Sequence, residues 1–282
     1  MTNGWVLLIL PGLIWGASFL FIAEGLKSIG PNGVCFFRIC LGFLTLSCFP
    51  AARGPVERKD WKAVAWLGLL WFAFPLTMFP FAEQRVSSAV TGMLNGANPL
   101  FATIVAAYVT RHAPSRGVAI GIAVGLFGTV LIALPTLNEG ESSALGIAMI
   151  VAALVSYGFA LNVAGALQKR YGAIPVIWRA QAVALLLTAP LGIPDVLAAK
   201  WTLYPLLSLI VLGTVGTAIA NVLMASAAGR FGAARASGTA FLIPVVALIL
   251  GVTVRGEHVA PIAVAGCLVC LSGAWLMKRG SH

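Results

Sequence analysis

Residues 87–109 read SSAVTGMLNGANPLFATIVAAYV, and residues 232–254 read GAARASGTAFLIPVVALILGVTV. Each is apolar over the ~20 residues a helix needs to cross ~30 Å of hydrocarbon. A single shift of 145 residues lays Pro99 on Pro244, Ala102 on Ala247, Ile104 on Ile249 and Val109 on Val254. Carried on without a gap, it lays Gly121 on Gly266 and Gly128 on Gly273, and it also pairs Ala89 with Ala234. Apolar composition gives chance identities among Ala, Ile and Val, so the aligned proline and glycines are the informative matches. Upstream, Trp15 corresponds to Tyr157 and Arg38 to Arg179, at shifts of 142 and 141. The chain therefore divides into halves 1–138 and 139–282, each a unit of five spans. An odd number of crossings sends the second half in from the opposite face, so the halves are inverted about an axis in the membrane plane. That arrangement lets two similar units exchange conformations and move a cavity from one side to the other.

Working outward, ten apolar stretches fill the chain, at 5–25, 32–51, 62–82, 87–109, 116–135, 144–166, 173–193, 203–228, 234–254 and 259–277. Hydrophobic residues make up 60% of the 282 and charged residues 9%, against about 25% charged in an average soluble domain. Backbone polar groups in lipid must be satisfied within the segment, and no stretch alternates as a barrel strand does. The fold class is thus an all-α polytopic membrane protein, ten transmembrane helices forming two inverted repeats around a central cavity.

The net charge of +10 does not indicate nucleic acid, because the basic residues are scattered over short loops. With the N-terminus on face A, that face holds Arg53, Arg58, Lys59, Lys62, Arg111, Arg116, Lys169, Arg170, Arg230, Arg235, Lys278 and Arg279. Face B holds Lys27, Arg85, Lys200 and Arg255 and collects Glu24, Glu83, Glu139, Glu141, Asp195 and Glu257. Twelve cations against four place both termini in the cytoplasm. No Lys or Arg precedes the first span, which is too long for a signal-peptide core and is read as retained.

Other classes fare badly. His112, His258 and His282 lie in loops or the tail, no His-Glu-x-x-His is present, and no two aspartates face each other within spans, so an enzyme is not expected. No cofactor and no metal site is expected either. Cys35, Cys40, Cys48, Cys267 and Cys270 read as small packing residues. Trp5, Trp61, Trp178, Trp201 and Trp275 lie near span ends, as interfacial belt residues do.

The motif Leu13-Ile14-Trp15-Gly16-Ala17-Ser18-Phe19, Arg38 in the second span, Asn98-Pro99 with Pro244, and the Gly121 to Gly128 pattern resemble the drug/metabolite transporter superfamily in its EamA-type branch. The resemblance runs over the whole chain. It implies a ten-helix basket in a bacterial inner membrane, a cavity lined mainly by spans 1, 3, 4, 6, 8 and 9, and export of amino acids or related metabolites. One departure is that the end of the fourth span, where many members carry a Glu, reads Thr110-Arg111-His112, while Glu257 stands in the second half.

Within the spans, Thr91, Asn95 and Asn98 share one face at i, i+4, i+7, next to Pro99 and at the repeat position of Pro244. Amides at this depth line a cavity or join helices. Thr214, Thr217, Asn221 and Met224 form a second stripe. Threonines also bond back to their own helix. Trp15, Ser18 and Phe19 share a face of the first span, Tyr157 sits at the corresponding place in the sixth, and Met78 and Phe79 lie between Pro75 and Pro80. The expected substrate-binding residues are Trp15, Ser18, Met78, Phe79, Asn95, Asn98, Pro99, Tyr157, Thr217, Asn221, Met224 and Pro244.

Gly117, Gly121 and Gly125, and Gly92 with Gly96, are small-residue packing faces, within a half or in a dimer. Arg38 and Arg179 are read as snorkelling or structurally paired cations near span ends, with attraction of a carboxylate as substrate enters the alternative. No Asp or Glu lies near mid-span, and Glu24 and Glu83 read as end residues. The sequence therefore indicates a carrier of neutral or zwitterionic solutes, driven by their own gradient or by exchange. A proton-coupled exporter of cationic compounds is the alternative, and a non-transporting receptor or scaffold the distant one. The partners expected are the small-molecule substrate and membrane lipid, with the chain a monomer or weak homodimer.

Overall fold

A computed structural model describes residues 3–232 and 236–280. Ala234, Arg235 and His282 lie outside the described residues, as does the side chain of Trp5. Among the described residues the chain is helical throughout, with no strand. The helices are α1 (Asn3–Gly25), α2 (Pro31–Ser47), α3 (61–83), α4 (88–110), α5 (Arg116–Leu137), α6 (Glu141–Tyr171), α7 (Ala173–Leu197), α8 (203–231), α9 (237–255) and α10 (Pro261–Gly280).

Eight of these are long and apolar enough to cross a membrane, and α4, bent by 42°, makes nine if its two pieces form one span. The remaining helix, α2, has 17 residues. It stops at Ser47, short of the boundary read at 51, because Pro50 opens a separate 3-10 turn, Pro50–Arg53. Conversely α6 runs on to Tyr171, five residues past the reading. Its final Lys169 and Arg170 suit the negative end of the helix dipole.

Four helices are irregular at matched places. In α4, regular helix ends at Asn95 and restarts at Asn98. In α9, a 3-10 stretch Ser237–Phe241 precedes Leu242–Arg255. Pro99 and Pro244 therefore fall in the first turn after each irregularity, where a missing N–H leaves no bond unmade. In α3 and α8, π-helical segments run over Gly68–Ala73 and Leu212–Ile219. Wide turns expose backbone carbonyls, and each segment has at least one taken by a side chain from another helix. Ser156 Oγ of α6 donates to the Leu70 carbonyl at 2.8 Å, and Trp15 Nε1 of α1 donates to the Gly216 carbonyl at 3.1 Å.

The glycine faces join the two halves. A Cβ on Gly128 would stand 2.3 Å from the Cys270 nitrogen and 2.6 Å from the Gly266 oxygen, and one on Gly273 would stand 2.3 Å from the Gly125 nitrogen. The contacts are reciprocal, since Gly121 meets Gly273 while Gly266 meets Gly128. The expectation of packing inside one half is replaced by α5 against α10, because only a face free of Cβ atoms on both helices lets two backbones touch. Gly117 is exposed. In α4, a Cβ on Gly92 would come within 2.2 Å of the Ala247 side chain, so this helix lies close against α9.

Candidate functional site

The π segment of α8 builds one polar cluster. Thr217 is buried; its Oγ1 donates to the Leu212 carbonyl at 2.9 Å and accepts from Arg38 Nε at 2.7 Å. Its carbonyl accepts from Gln181 Nε2 at 3.2 Å and from Asn221 Nδ2 at 2.8 Å. Trp15 Nε1 reaches the neighbouring Gly216 carbonyl. The structure thus brings together Trp15, Thr217 and Asn221 of the residues read from the sequence, and adds Arg38 and Gln181. Ser18 is buried beside them, with its hydroxyl donating to Ile14 of its own helix. Thr214 bonds back to the Ile210 carbonyl at an exposed position and lies off the cluster. Met224 is half-buried one turn beyond Asn221.

The snorkelling reading of Arg38 is corrected. Its residue is 7% exposed, held by α8 rather than extended to an interface. Its repeat counterpart Arg179 does keep a structural surface role, donating through Nη1 to the Pro175 and Ala52 carbonyls and lying over the Trp178 ring. Trp178 itself is tied inward, stacked on Phe43 with its Nε1 donating to Ser47 Oγ.

The break in α4 builds the second cluster. Asn95 and Asn98 flank Gly96 and Ala97, and the Oδ1 of each is buried without a hydrogen-bond partner. The described residues offer no hydrogen bond to either amide, whereas helix-joining amides need a partner. Thr91, on the same face, is buried and bonds back to the Ser87 carbonyl. Pro99 follows directly, and Pro244 approaches from α9, 3.0 Å from where a Gly96 Cβ would be.

An aromatic line packs in the same core. Phe79 is buried, edge-on to Phe19 at 5.6 Å and stacked with Tyr157 at 6.0 Å, and Met78 packs half-buried against the same core.

At face B an ionic network ties α1, α4 and α9. Arg255 Nη1 donates to Glu24 Oε1 at 2.7 Å and its Nε to Glu257 Oε1 at 2.9 Å. Glu257 also accepts from the Ser88 N–H and hydroxyl and, at 2.8 Å, from the Ala89 N–H. It thereby satisfies orphan donors at the positive end of α4. Burial pushes the Glu257 carboxyl up, but these donors outweigh it and hold the group below the usual carboxylate range. The C-terminal end of α4, which the sequence shift matches to Glu257, reads Thr110-Arg111-His112, and His112 Nδ1 meets the Thr110 carbonyl at 2.7 Å.

Glu83, read as a residue near the surface, is corrected as well. It ends α3, yet both carboxylate oxygens are buried and without a partner. The sequence signal for Arg38, Gln181 and Glu83 was present, since each is a costly polar group in or at the edge of an apolar span. Burial depends on which helix face turns inward, and that needs the packing.

The sequence model of the EamA-like transporter family matches residues 2–134 and again residues 144–279. The chain is 27% identical over 92% of its length to an uncharacterized transporter, YdfC, of Bacillus subtilis, covering 86% of that protein. It is 23% identical, over 96% of its length and 92% of the relative's, to a probable terminal-alkyne amino-acid exporter of Streptantibioticus cattleyicolor. Among solved structures, one protein crystal structure superposes with a TM-score of 0.60 at 16% identity, covering 96% of this chain and 98% of that one, which shows a shared fold. A multi-pass helical chain matched by the family model over nearly all of its length, it belongs to the EamA-like transporter family.

Proposed function

We propose that this protein exports small neutral or zwitterionic metabolites, amino acids foremost, by alternating access. Ten spans in two inverted halves, 1–138 and 139–282, would carry a site between them, with both termini in the cytoplasm of a bacterial inner membrane. The site comprises Trp15, Ser18, Met78, Phe79, Asn95, Asn98, Pro99, Tyr157, Thr217, Asn221, Met224 and Pro244. The observation that bears most on this reading is the pair of unpartnered amide oxygens of Asn95 and Asn98, buried at a helix break. Buried acceptors left open cost stability, and a polar solute supplies what they lack. The double match of the family model, the reciprocal glycine contacts and the paired π segments support the inverted halves. The amino-acid exporter among the relatives supports the cargo.

Drive by the solute's own gradient, or by exchange, follows from the scarcity of ionisable groups at mid-span. Glu83 gives a specific footing to a second reading, proton-coupled export, because a buried carboxylate can exchange a proton.

Counterflow of a labelled neutral amino acid into proteoliposomes tests the carrier claim. For the topology, reporter fusions after residues 57 and 139 should report the cytoplasm and the periplasm respectively. The same compartment for both contradicts the inverted arrangement.

A further inference from the structure

We propose that Arg38 and Glu83 are the two poles of a zwitterion site, the guanidinium taking the carboxylate and the Glu83 carboxylate taking the ammonium of a free α-amino acid. This rests on the transport reading above and narrows its substrate class.

Two ionisable groups of opposite type are buried in this half of the bundle, and neither is paired by a contact. Arg38 is 7% exposed and uses only Nε, toward Thr217. A guanidinium carries four further N–H donors on its Nη atoms, and these make no hydrogen bond among the described residues. Both Glu83 oxygens are buried and unpartnered. The two groups form no ion pair within 4.0 Å, so neither closes off the other.

Neighbouring charges are already engaged. Glu83 also faces Arg255 and Glu257, but Arg255 is held by Glu24 and Glu257, and Glu257 by Ser88 and Ala89. Arg38 also faces Tyr157 and the Cys35 thiol, and Cys35 is tied to Thr77.

The geometry suits one small dipolar guest. Thr77 Oγ1 meets Cys35 Sγ at 3.2 Å, fixing α2 beside α3. Arg38 lies one turn past Cys35 and Glu83 less than two turns past Thr77. Consecutive spans run in opposite directions, and helical side chains lean toward their own N-terminus, so along the bundle axis the two side chains lean toward the same level. Phe79, one turn before Glu83 on the same helix, is stacked with Tyr157 and supplies an apolar surface beside that pole. Buried polar groups left without partners are costly, and a zwitterion delivers a partner of the opposite charge to each pole while adding no net charge.

The test is competition for counterflow of a labelled neutral amino acid by three unlabelled compounds: the same amino acid, its methyl ester and its N-acetyl form. A site that uses both poles rejects each derivative by at least about a hundredfold relative to the parent. Glu83→Gln should abolish the discrimination against the N-acetyl form while keeping that against the ester, and Arg38→Gln should do the reverse. Where Arg38→Gln does not fold, Arg38→Lys is measured instead and should weaken the parent while still rejecting the ester. Derivatives that compete as well as the parent on wild-type protein overturn the two-pole site and leave the carrier intact. Wild-type protein that moves no amino acid overturns the carrier reading. The site is then read by thermal stabilisation in detergent, where a shift produced equally by all three compounds, or by none, overturns it too.

Discussion

Gly128→Ala and Gly273→Ala should each remove most of the folded protein, the largest loss expected from any single methyl group in the chain. The added carbon would lie 2.3 Å from the backbone nitrogen of Cys270 in the first case and of Gly125 in the second. No side chain can swing aside to relieve this, so α5 and α10 must separate along their length, costing about 3 kcal/mol or more. Gly165→Ala in α6 is the control, since nothing lies within 4 Å of the new carbon. There alanine should gain up to about 1 kcal/mol of helix propensity. Melting curves in detergent read both effects. A Gly128→Ala protein that melts with the wild type contradicts the close approach of the two halves.

The second large effect is at face B. Glu257→Ala removes the acceptor of two backbone N–H groups, the Ser88 hydroxyl and one side of Arg255. It is expected to destabilise by about 2–3 kcal/mol, since the donors stay partly buried while the anion is gone. Removing the exposed Glu139 should change nothing measurable. The sign with pH follows from the depressed carboxyl. A group held below its unfolded value of 4.5 contributes fully above that pH and loses its contribution as the pH falls through the folded value. The stability difference between wild type and Glu257→Ala should be flat at neutral pH and close only in acid. A gap that instead closes between about pH 6 and 8 would assign the effect to another group.

Much of this fold could be read from the sequence because lipid makes the rules simple. Long apolar runs must be helical, and the Pro99/Pro244 and Gly121/Gly266 pairs, being backbone-specific residues, carry the expectation of a repeat more than any apolar identity does. Trp15, Thr217 and Asn221 stood out as candidates because polar groups in such spans are scarce, and their meeting at the α8 π segment came from the structure. The sequence did not disclose the π segments of α3 and α8, since they follow from the balance of tertiary contacts such as Ser156 to Leu70 and Trp15 to Gly216. Nor did it disclose that Arg38 and Glu83 turn inward. Their distance from the span ends suggested surface roles, and only the packing of α2 and α3 against their neighbours decides which face is buried. Glycine spacing identified a close-packing face on α5 without naming its partner, because the partner, α10, belongs to the other half.

The carrier claim is tested most directly by counterflow. Purified protein in liposomes loaded with an unlabelled neutral amino acid is diluted into a trace of the labelled form, with no ATP and no imposed pH difference. Labelled solute should accumulate transiently inside wild-type vesicles and not in protein-free ones, because only an exchanging, alternating site couples the outward flow to inward movement of label. Asn95→Ala and Asn221→Ala should reduce that overshoot while leaving the amount of folded protein nearly unchanged. Simple equilibration without an overshoot, or accumulation that requires a pH gradient and vanishes in Glu83→Gln, would contradict gradient-driven alternating access.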